Sequence, residues 1–147
     1  MMLALVAVTI LSEPIMIKET ASLMVATSLA QCMVDKINAR APEPDAQLVT
    51  HKAAGECRSM RDQKYADGKI RRNGKPFPER WWKRQSPLFE QTTAAVENAW
   101  SKRTEGKKLH VAWQKKDGSL MTLPAEGQWF ADSKVNLIIV ENDDAQN

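Results

Sequence analysis

Near residue 106 the hydrophobic period of the chain changes, and no other feature limits the fold as sharply. Upstream, apolar residues recur every three or four positions, as on one face of a helix. Downstream, Leu109, Val111 and Trp113 alternate with Lys108, His110 and Gln114, the two-residue period of a half-buried strand. A chain patterned this way reads as α+β, with helices first and a small antiparallel sheet at the carboxyl end. Its 147 residues suit one domain able to bury a sizeable core. The apolar fraction of 43% and charged fraction of 27% exclude wholesale disorder.

The helical part divides at its prolines. Ser12, Glu13 and Pro14 read as a helix start: a hydroxyl cap, then an acid and a proline in the first turn. From there to about Ala39 the residues Leu23, Ala26, Ala30, Met33, Val34 and Ile37 share one face, with Gln31 and Asp35 opposite. Pro42 and Pro44 end that helix. A second is expected from about Asp45 to Lys64 or Ala66, with Ala46, Val49, Ala53, Cys57 and Met60 on its apolar stripe. The two together predict an antiparallel helical hairpin between Ser12 and Lys64. A third helix opens at Ser86 with Pro87 in its first turn, buries Leu88, Thr92, Ala95, Val96 and Ala99 beside Phe89 and Trp100, and closes at Gly106.

For the hairpin after Trp113, register selects the turn. A loop of Asp117 and Gly118 alone would set Trp113 against Thr122 and Val111 against Pro124. A three-residue loop, Lys116 to Gly118 with Gly118 left-handed, sets Trp113 against Met121 and Val111 against Leu123, the better match. "VNLIIV", 135–140, supplies a further strand, and 141–147 reads as a frayed acidic tail.

Two features bear on the compartment. The apolar run Met1 to Leu11 is too short to span a bilayer but has the length of a signal-peptide core. Ile10 and Ser12 suit a cleavage after Ser12, although no Lys or Arg precedes the run. On this reading 1–12 is a leader and 13–147 one domain; the alternative is a buried first strand or helix turn of a cytoplasmic protein. Cys32 and Cys57 fall on the two facing helices, where an oxidising compartment would let them bridge. In ideal parallel axes they are offset by roughly 7 Å, which a tilted crossing must absorb. The alternative is a pair of reduced core thiols. A leader and a bridge support each other, and the expected destination is periplasmic or secreted.

Catalytic and cofactor spacings are not found. His51 and His110 stand in different elements, and no metal-ligand set, phosphate-cradling glycine loop or nucleophile elbow occurs, so no cofactor and no metal site are assigned. What stands out is charge. The net charge of +3 is mild, yet residues 61–85 alone hold nine basic residues against three acidic ones. Within and beside "IRRNGKPFPERWWKRQ", residues 70–85, the candidates for contact with an anionic partner are Lys69, Arg71, Arg72, Lys75, Arg80, Lys83 and Arg84, with Trp81 and Trp82 able to stack. The plainer reading of 67–85 is a solvated connector whose aromatics anchor it to the core, and it ranks first. The functional expectation is a small non-enzymatic binding or accessory protein that meets a protein or envelope partner through this surface. The alternative is a cytoplasmic nucleic-acid binder using the same Lys, Arg and Trp residues.

Overall fold

A computed structural model describes residues 8–17, 20–39, 51–58, 71–72, 75–76, 84–104, 106–121, 123 and 135–142. Strands β1 (Val8–Ile10) and β2 (Ile15–Met16) lead into helix α1 (Thr20–Ala39), and residues 51–58 form α2. A two-stranded ribbon of β3 (Arg71–Arg72) and β4 (Lys75–Pro76) precedes α3 (Ser86–Lys102). Strands β5 (Leu109–Lys115), β6 (Leu120–Met121) and β7 (Val135–Asn142) follow.

The main sheet is antiparallel, five-stranded and curled, in the order β1-β7-β5-β6, with β2 sharing with β1 the outer edge of β7. Strand β7 is its axis. Its inner edge pairs with all of β5, from Leu109↔Glu141 to Lys115↔Val135. The outer edge pairs first with β2, Ile15↔Leu137, and then with β1, Ile10↔Val140. Between those pairs the edge chain spends residues 11–14 against only 138–139 of β7, so it bulges by two residues. An even excess preserves the side-chain parity of the strands, and Ile15 still reaches the core.

Helices α1 and α3 cover one face of this sheet, with α1 over β5 and α3 over β7. The odd-numbered residues of the strands supply that face. Leu109, Val111, Trp113, Val135, Leu137 and Ile139 pack there against Leu23, Leu29, Met33 and Ile37 of α1 and Phe89, Val96 and Ala99 of α3. Trp113 is wholly buried, and its indole Nε1 donates to Thr27 Oγ1 at 3.1 Å, so neither buried polar group is left without a partner. On the other face a smaller cluster of Ala112, Ile138 and Val140 forms, against which Leu120 packs. Strand β7 is therefore apolar on both sides, which explains the unbroken run Leu137–Val140.

The antiparallel helical hairpin expected over Ser12–Lys64 is not what forms. Its first residues belong to the sheet, the helix starts at Thr20 rather than Ser12, and the sheet draws on both ends of the chain instead of the carboxyl end alone. The reason is the open edge of β7, whose backbone groups need partners and find them in 8–16. Leu11 N donates to Ile139 O at 2.9 Å, and Ile139 N donates to Ser12 Oγ at 2.9 Å. The hydroxyl read as a helix cap is thus buried in the sheet and completes its ladder. Of the second helix, 51–58 is helical, and the remainder of 45–66 lies outside the described residues.

Elsewhere local patterns hold. Every residue assigned to the apolar face of the first helix is buried in α1. Helix α3 starts at Ser86, with Gln85 as its N-cap and Pro87 in its first turn. The helix ends earlier than expected, at Lys102 with Arg103 extended, and Gly106, in the loop beyond, has φ 88°, a left-handed conformation that glycine adopts without strain. The β5–β6 turn is the three-residue loop 116–118, with Gly118 at φ 90° and Trp113 opposite Met121. Asp117 Oδ1 accepts from Ser119 N at 2.9 Å and from its hydroxyl at 2.6 Å, and these bonds hold the carboxyl below the usual 3.8. At the far end β7 runs two residues past the expected strand, into the expected tail. Glu141 is buried there, its carboxylate accepting from Thr104 N at 2.6 Å and Thr104 Oγ1 at 2.7 Å.

Candidate functional sites: a bridged basic flank and a polar cleft

Two places on the molecule offer chemistry beyond packing, and they lie on opposite flanks of α3. The first is built around the cysteines. Cys57 is buried and Cys32 half-buried, and a disulfide joins them with a Cα–Cα distance of 5.9 Å. The separation foreseen for parallel axes is therefore taken up by how α1 and α2 cross. Four further contacts hold α2. Lys36 Nζ lies 3.6 Å from Glu56 Oε1, the Arg58 guanidinium sits 5.3 Å from the centre of the Phe89 ring, and Arg58 Nη2 donates to Ser86 Oγ at 3.3 Å. At the other end His51 Nε2 comes to 3.9 Å of Glu97 Oε2, so α2 runs opposite to α3.

The basic stretch contributes a ribbon of its own. Arg71 and Arg72 form β3 and Lys75 belongs to β4. Their register sets Arg72 opposite Lys75 and Arg71 opposite Pro76, a short hairpin where irregular chain was expected. Like charges set opposite each other cost a hairpin stability unless something anionic shares the site. Arg84 is exposed in the turn that enters α3. Lys69, Arg80, Trp81, Trp82 and Lys83 lie outside the described residues. Of nine residues proposed for the binding surface, backbone placement thus brings Arg71, Arg72 and Lys75 into one hairpin.

The chain, compared with protein-family models, curated proteins and solved structures, matches none of them. Function must therefore be argued from sites. Among the described residues no group of three or more His, Cys, Asp or Glu is placed to hold a metal ion, and no helix is long and apolar enough to cross a membrane.

The second place is a cleft of about 290 Å³ between the 11–15 bulge and α3. Ser12, Glu13 and Pro14 form one wall. Gln91, Ala94, Asn98 and Lys102 form the other, spaced three or four apart along one stripe of the helix. The cleft exists because the stripe carries alanines at its centre while the bulge lifts residues 13–14 off the β7 edge. Reading by sequence missed it. The signal available was small and neutral polar residues at helical spacing, and an ordinary solvated flank shows the same pattern.

Proposed function

We infer that the protein is a small exported binding or accessory protein, without catalytic activity of its own, that meets a negatively charged protein or lipid surface of the cell envelope through its basic stretch. The observation that carries this reading is the β3–β4 register, which sets Arg72 directly opposite Lys75, with Arg71 next to it in sequence, inside the most basic part of the chain. An anionic partner would relieve that crowding, and the exposed Arg84 and the neighbouring Trp81 and Trp82 would extend the contact. The Cys32–Cys57 bond supports the export half of the reading, because structural disulfides persist in oxidising compartments.

The test is titration of the oxidised protein with phosphatidylglycerol vesicles and, separately, with duplex DNA, each across a range of salt. Saturable vesicle binding that Trp82→Ala with Arg84→Ala weakens about tenfold is the expected result. Binding that the double variant leaves unchanged would reject this surface. Binding to DNA stronger than to vesicles, and falling steeply with salt, would favour the cytoplasmic nucleic-acid alternative.

A further inference from the structure

We propose that the cleft between the 11–15 bulge and α3 binds a short peptide by its two free ends. Four of its polar side chains, Glu13, Gln91, Asn98 and Lys102, make no hydrogen bond or ion pair with any described residue, although all four border one concave space. Glu13 and Lys102 carry opposite charges on different elements, so the site presents an acceptor for an ammonium group and a donor for a carboxylate without neutralising itself. On the same stripe of the helix as Lys102, Gln91 and Asn98 each offer an amide, donor and acceptor together, which matches the N–H and C=O of a peptide unit.

Dimensions select the length. Gln91 and Asn98 are seven residues apart on the helix, about 10 Å at 1.5 Å per residue, and Lys102 lies about 6 Å further along. An extended tripeptide covers about 10 Å, so it spans Gln91 to Asn98 and meets Lys102 where that side chain extends back along the helix. Leu11, Pro14, Ile15, Ala94 and Ala95 supply the apolar part of the lining, which can receive small side chains. The acid at Glu13 disfavours polyanions, which makes this site chemically distinct from the basic hairpin, and the proposal does not depend on that surface.

Titration of the full oxidised chain with tri-alanine, followed by amide NMR, tests the assignment. The expected result is saturable shifts at Gln91, Ala94, Asn98 and Lys102, with affinity falling about tenfold when the peptide amine is acetylated or its carboxylate amidated. Lys102→Ala should abolish the preference for the free carboxylate, and Glu13→Ala the preference for the free amine. Ala94 is exposed, so Ala94→Trp should fill the cleft and remove binding while leaving the rest of the spectrum in place. Absence of saturable shifts with tri-alanine, equal affinity for the doubly capped peptide, or undiminished binding by a folded Ala94→Trp protein would each overturn the proposal.

Discussion

The outward edges of β5 and β7, the central pair of the main sheet, are closed by opposite strategies. On β5 the partner is local. Strand β6 returns after a three-residue loop, and where it does not reach, the Asn38 side chain takes over, donating to Leu109 O at 2.9 Å and accepting from Leu109 N at 3.0 Å. On β7 the partner is remote, since Val8 meets Asn142, and the gap at the bulge is filled by the single hydroxyl of Ser12. One amide imitates a whole strand residue; one hydroxyl satisfies a single N–H. The contrast shows that sealing an edge requires only a partner for each exposed group, and that a side chain serves where backbone is missing.

Removing residues 1–12 should have the largest effect, because it strips β1 and the Ser12 hydroxyl together. Amide exchange at Ile139 and Glu141, whose N–H groups face the stripped edge, should become fast while 109–115 and the β7 amides bonded to β5 stay protected, with stability reduced by about 3 kcal/mol; protection retained at Ile139 and Glu141 would show that β1 does not hold that edge. Asn38→Ala should follow at about 2 kcal/mol by urea unfolding, since two half-buried bonds to Leu109 are lost. Ser12→Ala should cost about 1 kcal/mol, the value of the one bond to Ile139. If Ser12→Ala proved the more damaging, the ranking of the two edges would be reversed.

The smallest effect belongs to His110, beside Leu109 on β5. Burial, and then the Lys108 charge, hold its pKa below 6.5 against the opposing pull of Asp35. The unfolded chain thus takes up the proton first as pH falls. His110 contributes its share of stability above pH 6.5 and loses it as pH drops through the folded value. His110→Gln should flatten that part of the stability profile, and an unchanged slope between neutral and mildly acid pH would place the titration elsewhere.

Legibility followed the same divide between near and far. The face of α1, the start of α3 and the register Trp113↔Met121 were all readable because their determinants sit within a few residues of one another. So was the cysteine pairing, although the packing angle was not. The amino-terminal strands were misread because Ser12–Glu13–Pro14 carries the same local signals at a helix start and at a strand bulge. What decides between them is an unpaired edge at Ile139, 127 residues away. Glu141 was misread for a related reason. An acid next to Asn142 and Asp143 looks solvated until Thr104 is found to hold its carboxylate. Of the candidate sites, the charge of the basic stretch was plain from composition, whereas the cleft arises only where two distant segments meet.

The place of β7 has a consequence for assembly. This strand touches β1, β2 and β5, so the sheet has no axis until residues 135–142 have left the ribosome. Helices α1 and α3 would emerge earlier with their oily faces uncovered, and a ladder pairing residues 8–16 with 136–142 closes nearly the whole chain into one slow, non-local loop. A polypeptide arranged in this way stays threadable until its last strand has been made.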